Sequence, residues 1–200
     1  FTATCTFIAK LDSSGVLLQF HEFDNQRMRE PTLPYMMFSQ VAMTLGQDGS
    51  VYVSAPLGIT GISGTRVNLF KFSNAGSFVW STVLSESWNV DPATISVDNG
   101  GQVLVGTTWG ALGPSVTKPI PERGVFLYVV APNGQEQKVY SLLTEANFPS
   151  ERSRMTSIAA TSPGHVSLVA PFCGDYGSIK SNATGTGNGC GAILAADFAL

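Results

Sequence analysis

A strand segment, a glycine-closed turn and a second strand segment recur along this chain, and that repetition limits its architecture more than any other feature. Residues 41–53, 93–105 and 156–168 align with one another, their turns closing on Gly49, Gly101 and Gly164. A second half-unit recurs as Phe7-Ile-Ala-Lys-Leu-Asp-Ser-Ser-Gly15, Leu69-Phe-Lys-Phe-Ser-Asn-Ala-Gly76 and Leu127-Tyr-Val-Val-Ala-Pro-Asn-Gly134. Repeats of this size cannot bury their apolar face alone and are stabilised by stacking on their neighbours.

Alternation of apolar and polar residues makes each half-unit two strands rather than a helix. A complete unit carries four strands joined by hairpin-type links, with strands at Val41–Leu45, Ser50–Ala55, Val67–Phe72 and Phe78–Leu84 in the second unit. The third repeats these at Thr94–Val97, Gln102–Thr107, Val125–Ala131 and Gln137–Leu143. The first unit supplies only Thr6–Leu11 and Val16–Phe23; the last supplies Ser157–Ala160, His165–Ala170 and a strand from Ala192 to Asp197. The turn glycines lie 52 and 63 residues apart, the excess falling in connectors where added length costs little. The Gly-rich connector 58–64, the Pro-rich connector 110–123 and the links 24–40 and 146–155 show no long helical pattern.

Four antiparallel strands in a repeat of roughly 50–60 residues is the pattern of a β-propeller blade. The expected fold is therefore all-β, one partial propeller over residues 1–200, with blades at about 1–40, 41–92, 93–155 and 156–200. That is about three to three and a half blades, below a comfortable ring of about four to eight. The array is expected to belong to a larger propeller or to be completed by another chain.

The composition fits short strands and many turns: 44% hydrophobic and 12% charged, with 21 Gly and 11 Pro. Eleven Lys and Arg, scattered along a chain of net charge −3, form no basic stripe to follow a phosphate backbone, so no nucleic-acid partner is expected. The longest apolar run, Val125–Ala131, is far short of the ~20 residues of a membrane-spanning helix. Cys173 and Cys190 bracket a loop with little apolar content; they form a disulfide or stay as buried thiols, and Cys5 has no evident partner. A bridge would place the chain in an oxidising compartment: extracellular, cell-surface or periplasmic.

With the repeats aligned, the chain resembles bacterial propeller proteins of the SBBP ("beta-propeller repeat") type. The likeness is carried by Phe7–Gly15, by Gln47-Asp-Gly-Ser-Val-Tyr-Val-Ser54 and by Asn74-Ala-Gly-Ser-Phe-Val-Trp-Ser81. PQQ-like propeller repeats share a similar pattern. Val129, where the first two units carry Lys10 and Lys71, departs from it. The resemblance implies a secreted or surface-attached scaffold without an assigned reaction.

Residues that carry chemistry are few. His21 and His165 lack the spacing of a metal or catalytic pair, and the Gly-rich run 185–191 lacks the Lys-Ser/Thr of a phosphate-binding loop. No Gly-x-Ser-x-Gly elbow presents a nucleophile. Asp12 and Asp98 sit in turns whose form explains them without calcium, so no metal or cofactor is expected. Glu22 with Asp24, or Glu86 with Asp91, are the carboxylate pairs a glycosidase reading would need. Trp80 alternates with Phe78 on one strand face and is expected in the core. Trp88 and Trp109 lie beside connectors, placed to stack on a sugar or anchor a partner, or to pack between blades. Asn182 begins a glycosylation sequon. The residues thus favour a non-enzymatic binding module with a protein or glycan partner, with no catalytic residue assigned. A propeller-type glycan hydrolase or lyase, and a structural subunit whose ring is closed by a second copy or another chain, are the alternatives.

Overall fold

The computed structural model describes residues 7–22, 41–58, 65–87, 90–109, 124–144, 157–162, 165–172, 175–176, 179–180 and 192–199. Among these residues the chain is all-β, without helix, and every strand pair is antiparallel. Strands β1 (Phe7–Leu11) and β2 (Leu17–Glu22) form a two-stranded sheet. Strands β3 (Ala42–Leu45), β4 (Val51–Gly58), β5 (Thr65–Phe72) and β6 (Phe78–Ser87) form a four-stranded meander. A second meander repeats it with β7 (Val90–Val97), β8 (Val103–Trp109), β9 (Gly124–Val130) and β10 (Glu136–Thr144). Strands β11 (Ser157–Ser162), β12 (His165–Phe172) and β15 (Ala192–Ala199) make a third sheet; β13 (Asp175–Tyr176) and β14 (Ile179–Lys180) form a small ribbon.

Five turns in these sheets are one structure used five times. Their first residues are Asp12, Gly46, Ser73, Asp98 and Ala131. In each turn the first residue's N–H donates to the carbonyl four residues on, and the N–H three residues on donates back to its carbonyl. The fourth residue is always glycine at positive φ, between 76° and 89°. This is a type I turn closed by a glycine bulge, whose twist matches that of the strands it joins. A side chain with a Cβ would be strained there. In a meander these turns share one side, because the link between the second and third strands falls at the opposite ends. Connectors 59–64 and 110–123 therefore leave from the other side.

The sheets stack in one sense. The main apolar cluster takes Tyr52, Val67, Leu69 and Leu84 from the first meander, and Ile95, Val103, Val105, Phe126, Tyr128 and Val130 from the second. Aligned on the turn glycines, Leu69 corresponds to Leu127, whereas Tyr128 and Val130 correspond to Phe70 and Phe72. The face that one meander buries is thus the opposite of the face its neighbour offers. One step earlier the same arrangement recurs. Ile8, the counterpart of Leu69, packs on the cluster of Val53 and Phe72, the counterparts of Val105 and Val130, which Val51 and Phe70 also flank. One step later, the N–H groups of Ile158 and Ala160 donate to Thr94 Oγ1 (3.2 Å) and Ser96 Oγ (3.1 Å) on the far face of β7.

Strand limits differ from the sequence expectation mainly where proline falls. β4 runs on through Pro56, which pairs in register with Val67. Among the described residues β3 pairs only as far as Ala42, opposite Ser54, so there Pro56 faces a paired strand on one side only, where its missing N–H is tolerated. β7 begins at Val90 and carries Pro92 at a bulge on an edge strand. The β13–β14 ribbon was expected to be loop: two-residue strands leave no readable alternation. Gly164 lies outside the described residues. Phe78 and Trp80 do not share a face, contrary to the alternation. A bulge in the β5–β6 pairing sets Phe72 opposite Phe78 but Lys71 opposite Trp80, resetting the parity between them. Phe78 meets Phe72 edge-on at 6.1 Å and is half exposed, while Trp80 tilts against Tyr52 on the other face.

Candidate functional site: the turn side and the connector side

The polar residues described in most detail line the turn side, and most of them bond to one another. Two kinds of contact join successive units there. Gln47 Nε2 donates to Asn99 Oδ1 at 2.7 Å, linking the second residues of equivalent turns. The carbonyl of the second residue in the outer-strand turn is capped from the preceding unit: Lys10 Nζ donates to Asn74 O at 2.7 Å, and Trp80 Nε1 to Pro132 O at 3.1 Å. The side chains four residues past Gly15 and Gly76 also reach the next unit. Gln19 lies over Gly76, and the Trp80 ring lies over Gly134, 2.9 Å from where a Cβ would stand. Within units, Lys71 sits 3.8 Å from the Asp48 carboxylate and over the Tyr52 ring, and Gln102 Nε2 donates to Gln137 Oε1 at 3.4 Å.

The carboxylates are spent on the turns. Asp12 Oδ1 accepts from the Ser14 hydroxyl and from the Ser14 and Val16 N–H groups. Asp98 Oδ1 accepts from the N–H groups of Gly100 and Gln102. Where the first turn residue has no side-chain oxygen, at Gly46 and Ala131, the third supplies one: Asp48 accepts from Ser50, and Asn133 from the Gln135 N–H. Asp12 is held below the ordinary carboxyl value first by the Ser14 hydroxyl and then by the Val16 N–H. Asp48 is lowered by the Ser50 N–H, then by its hydroxyl, with the Lys71 ammonium adding to both. A general acid needs the opposite shift, so neither of these two suits the general-acid role in glycoside cleavage.

The residues singled out in the sequence fall partly within the described strands. Trp88, Cys5, Cys173, Cys190, Asp24 and Asn182 lie outside the described residues. Trp109 ends β8 at the connector side, in register with Val90 and Gly124. Glu86 is in register with Arg66, and Asp91 with Thr108. His21 lies in β2 opposite Ile8, and His165 opens β12 exposed to solvent. Among the described residues no three His, Cys, Asp or Glu side chains gather as metal ligands, and no helix is long and apolar enough to cross a membrane.

Sequence reasoning passed over Ser54 and Thr107. Both hydroxyls are fully buried and have no hydrogen-bond partner among the described residues. By strand alternation Ser54 shares the face of Tyr52, and Thr107 that of Val103 and Val105, so both turn toward the junction between the meanders. A hydroxyl inside an otherwise apolar strand run was the available signal.

The chain matches no protein-family profile and no curated protein.

Proposed function

We propose that the chain is an array of β-propeller blades of the SBBP-like kind, acting as a non-enzymatic scaffold or binding module, secreted or at a cell surface. Its partner is a protein or a glycan, and it is engaged on the connector side. The observation that carries this reading is the one-directional stacking of the sheets. A sandwich of two repeats related by a two-fold axis brings equivalent faces together. Here each unit offers the next its opposite face, as blades arranged around an axis do. Polar groups on the turn side are consumed by turns and unit-to-unit bonds. Variable sequence, Trp109 and the strand ends flanking Trp88 belong to the connector side.

Glycan-array binding combined with a hydrolase and lyase panel tests the function. Saturable binding without turnover, weakened in Trp88→Ala or Trp109→Ala, is the expected result. Turnover that disappears on substitution of an Asp or Glu overturns the reading in favour of an enzyme. The stacking has its own test: cysteines placed at Gln47 and Asn99 are expected to be joined within one chain by a short bismaleimide.

A further inference from the structure

Two Asn-Gly pairs lie in turns of the same kind, Asn99-Gly100 between β7 and β8 and Asn133-Gly134 between β9 and β10. In such a pair the glycine nitrogen can attack the asparagine side-chain carbon, because no Cβ hinders its approach. The two pairs differ at that nitrogen. The Gly134 N–H donates to the Ala131 carbonyl at 2.9 Å, an amide oxygen too weakly basic to take the proton. Gly134 is also held at positive φ beneath the Trp80 ring. The Gly100 N–H instead donates to Asp98 Oδ1 at 2.8 Å, a carboxylate within reach of a proton transfer. Asn99 and Gly100 are exposed, and the three atoms nearest a Cβ placed on Gly100 all belong to Asp98.

The other end of the reacting pair is held as well. Gln47 Nε2 donates to Asn99 Oδ1 at 2.7 Å from the preceding unit. A donor there stabilises the negative charge that this oxygen gains when its carbon is attacked. Asn133 Oδ1 has a comparable donor in the Gln135 N–H at 3.1 Å, so the carboxylate at the nitrogen is what sets the two pairs apart.

We propose that Asn99 is a site of self-catalysed deamidation, with Asp98 as proton acceptor and Gln47 as donor to the developing oxyanion. The Gly100 nitrogen bonds to Asn99 Cγ, and its proton passes to Asp98 Oδ1. The Cγ–Nδ2 bond then breaks, and Nδ2 leaves as ammonia with the proton that Asp98 returns. Water opens the resulting cyclic imide. Hydrolysis at Cγ gives aspartate, and hydrolysis at the main-chain carbonyl carbon gives isoaspartate. Isoaspartate routes the backbone through the side chain and adds an atom to a tightly closed turn. That turn is held by the Gly101 N–H on the Asp98 carbonyl and the Asp98 N–H on the Gln102 carbonyl, both at 3.0 Å. The lengthened turn cannot keep both bonds and the Gln47 contact, so the reaction loosens the turn-side junction of the two meanders with time.

The intact chain is incubated at neutral pH, and peptide mapping by mass spectrometry follows Asn99 and Asn133 side by side. Asn99 is expected to convert about tenfold or more faster than Asn133. In urea, where Asp98 and Gln47 lose their places, the two rates should converge. Asp98→Asn, whose amide oxygen still accepts the turn N–H groups, should slow Asn99 about tenfold. Gln47→Leu should slow it about fivefold. Equal conversion at the two sites in the folded chain overturns the proposal. So does a rate in Asp98→Asn that is unchanged or faster, since the carboxylate would then restrain the nitrogen rather than serve it. The urea comparison uses the parent chain and decides the matter should either variant fold poorly. Only the Gln47 contact rests on the stacked-array reading. A rate indifferent to Gln47→Leu while the 47–99 cross-link forms overturns the proposal and leaves the array standing; if the cross-link fails as well, both fall.

Discussion

An acceptor oxygen sits at the first or the third position of the same five-residue turn, and this interchange explains the aspartates that otherwise invite a search for calcium. Position one supplies it in Asp12, Ser73 and Asp98, and position three in Asp48 and Asn133. Because Asp12 and Asp48 have lowered carboxyl values, they bind fewer protons folded than unfolded in the acid range. Their contribution is complete above the ordinary value of 3.8 and is lost as pH falls through the lower folded value. In Asp12→Asn with Asp48→Asn, where the amide oxygens still accept the turn N–H groups, thermal melts should show a shallower decline below about pH 4 than the parent. The turn glycines give a graded test. Nothing lies within 4 Å of a Cβ at Gly15, so Gly15→Ala carries only the backbone term, about 1–2 kcal/mol. Gly134→Ala has the same φ problem and also strikes the Trp80 ring, so urea denaturation should show it to be the more damaging change.

Between elements, the junction of the two meanders joins a strong apolar cluster to two idle hydroxyls. Leu69→Ala should cost about 2–5 kcal/mol and should lower the stability of both meanders in a single transition, since Leu69 belongs to a cluster fed by both. Thr107→Val should act in the opposite direction. It removes a fully buried hydroxyl with no partner among the described residues, and a gain of about 1 kcal/mol is expected in denaturant titration. These junctions were only half legible beforehand. The strand pairs and turns could be read because alternation and turn glycines are local signals, and the residues repeated at Lys10 and Lys71 stood out on alignment. Which faces meet is a long-range property that no local pattern encodes. The equivalence of Lys10 and Trp80 as caps of one turn carbonyl was hidden because the two donors share neither residue type nor position. Trp80 packs against the core cluster as expected, but Phe78, expected on the same face, lies on the other because one bulge residue inverts the alternation between them. The aromatic and cysteine candidates remain expectations of the sequence, for they fall where neither repeat nor alternation fixes a position.

At the scale of the molecule, one-directional stacking makes stability depend on how many neighbours each sheet has. Strands β8 and β9 are central in their sheet. Their sheet is covered on one face by the first meander and approached on the other by β11, and Val103, Leu104, Val125, Leu127 and Val130 are fully buried. The β1–β2 sheet has two strands, rests on the next sheet through Ile8, and exposes Leu11, Val16, Leu17, Leu18 and Phe20. Repeat arrays share out stability as unit terms plus nearest-neighbour terms, so a sheet with one neighbour opens before a sheet with two. Native-state amide exchange should therefore show the amides of β1 and β2 exchanging on the order of 100-fold or more faster than those of β8 and β9, a gap of about 3 kcal/mol in opening free energy. Equal protection of β1–β2 and β8–β9 in the free chain would mean that the first hairpin is held by more than Ile8 and the turn-side contacts, and the nearest-neighbour picture of this array would be wrong.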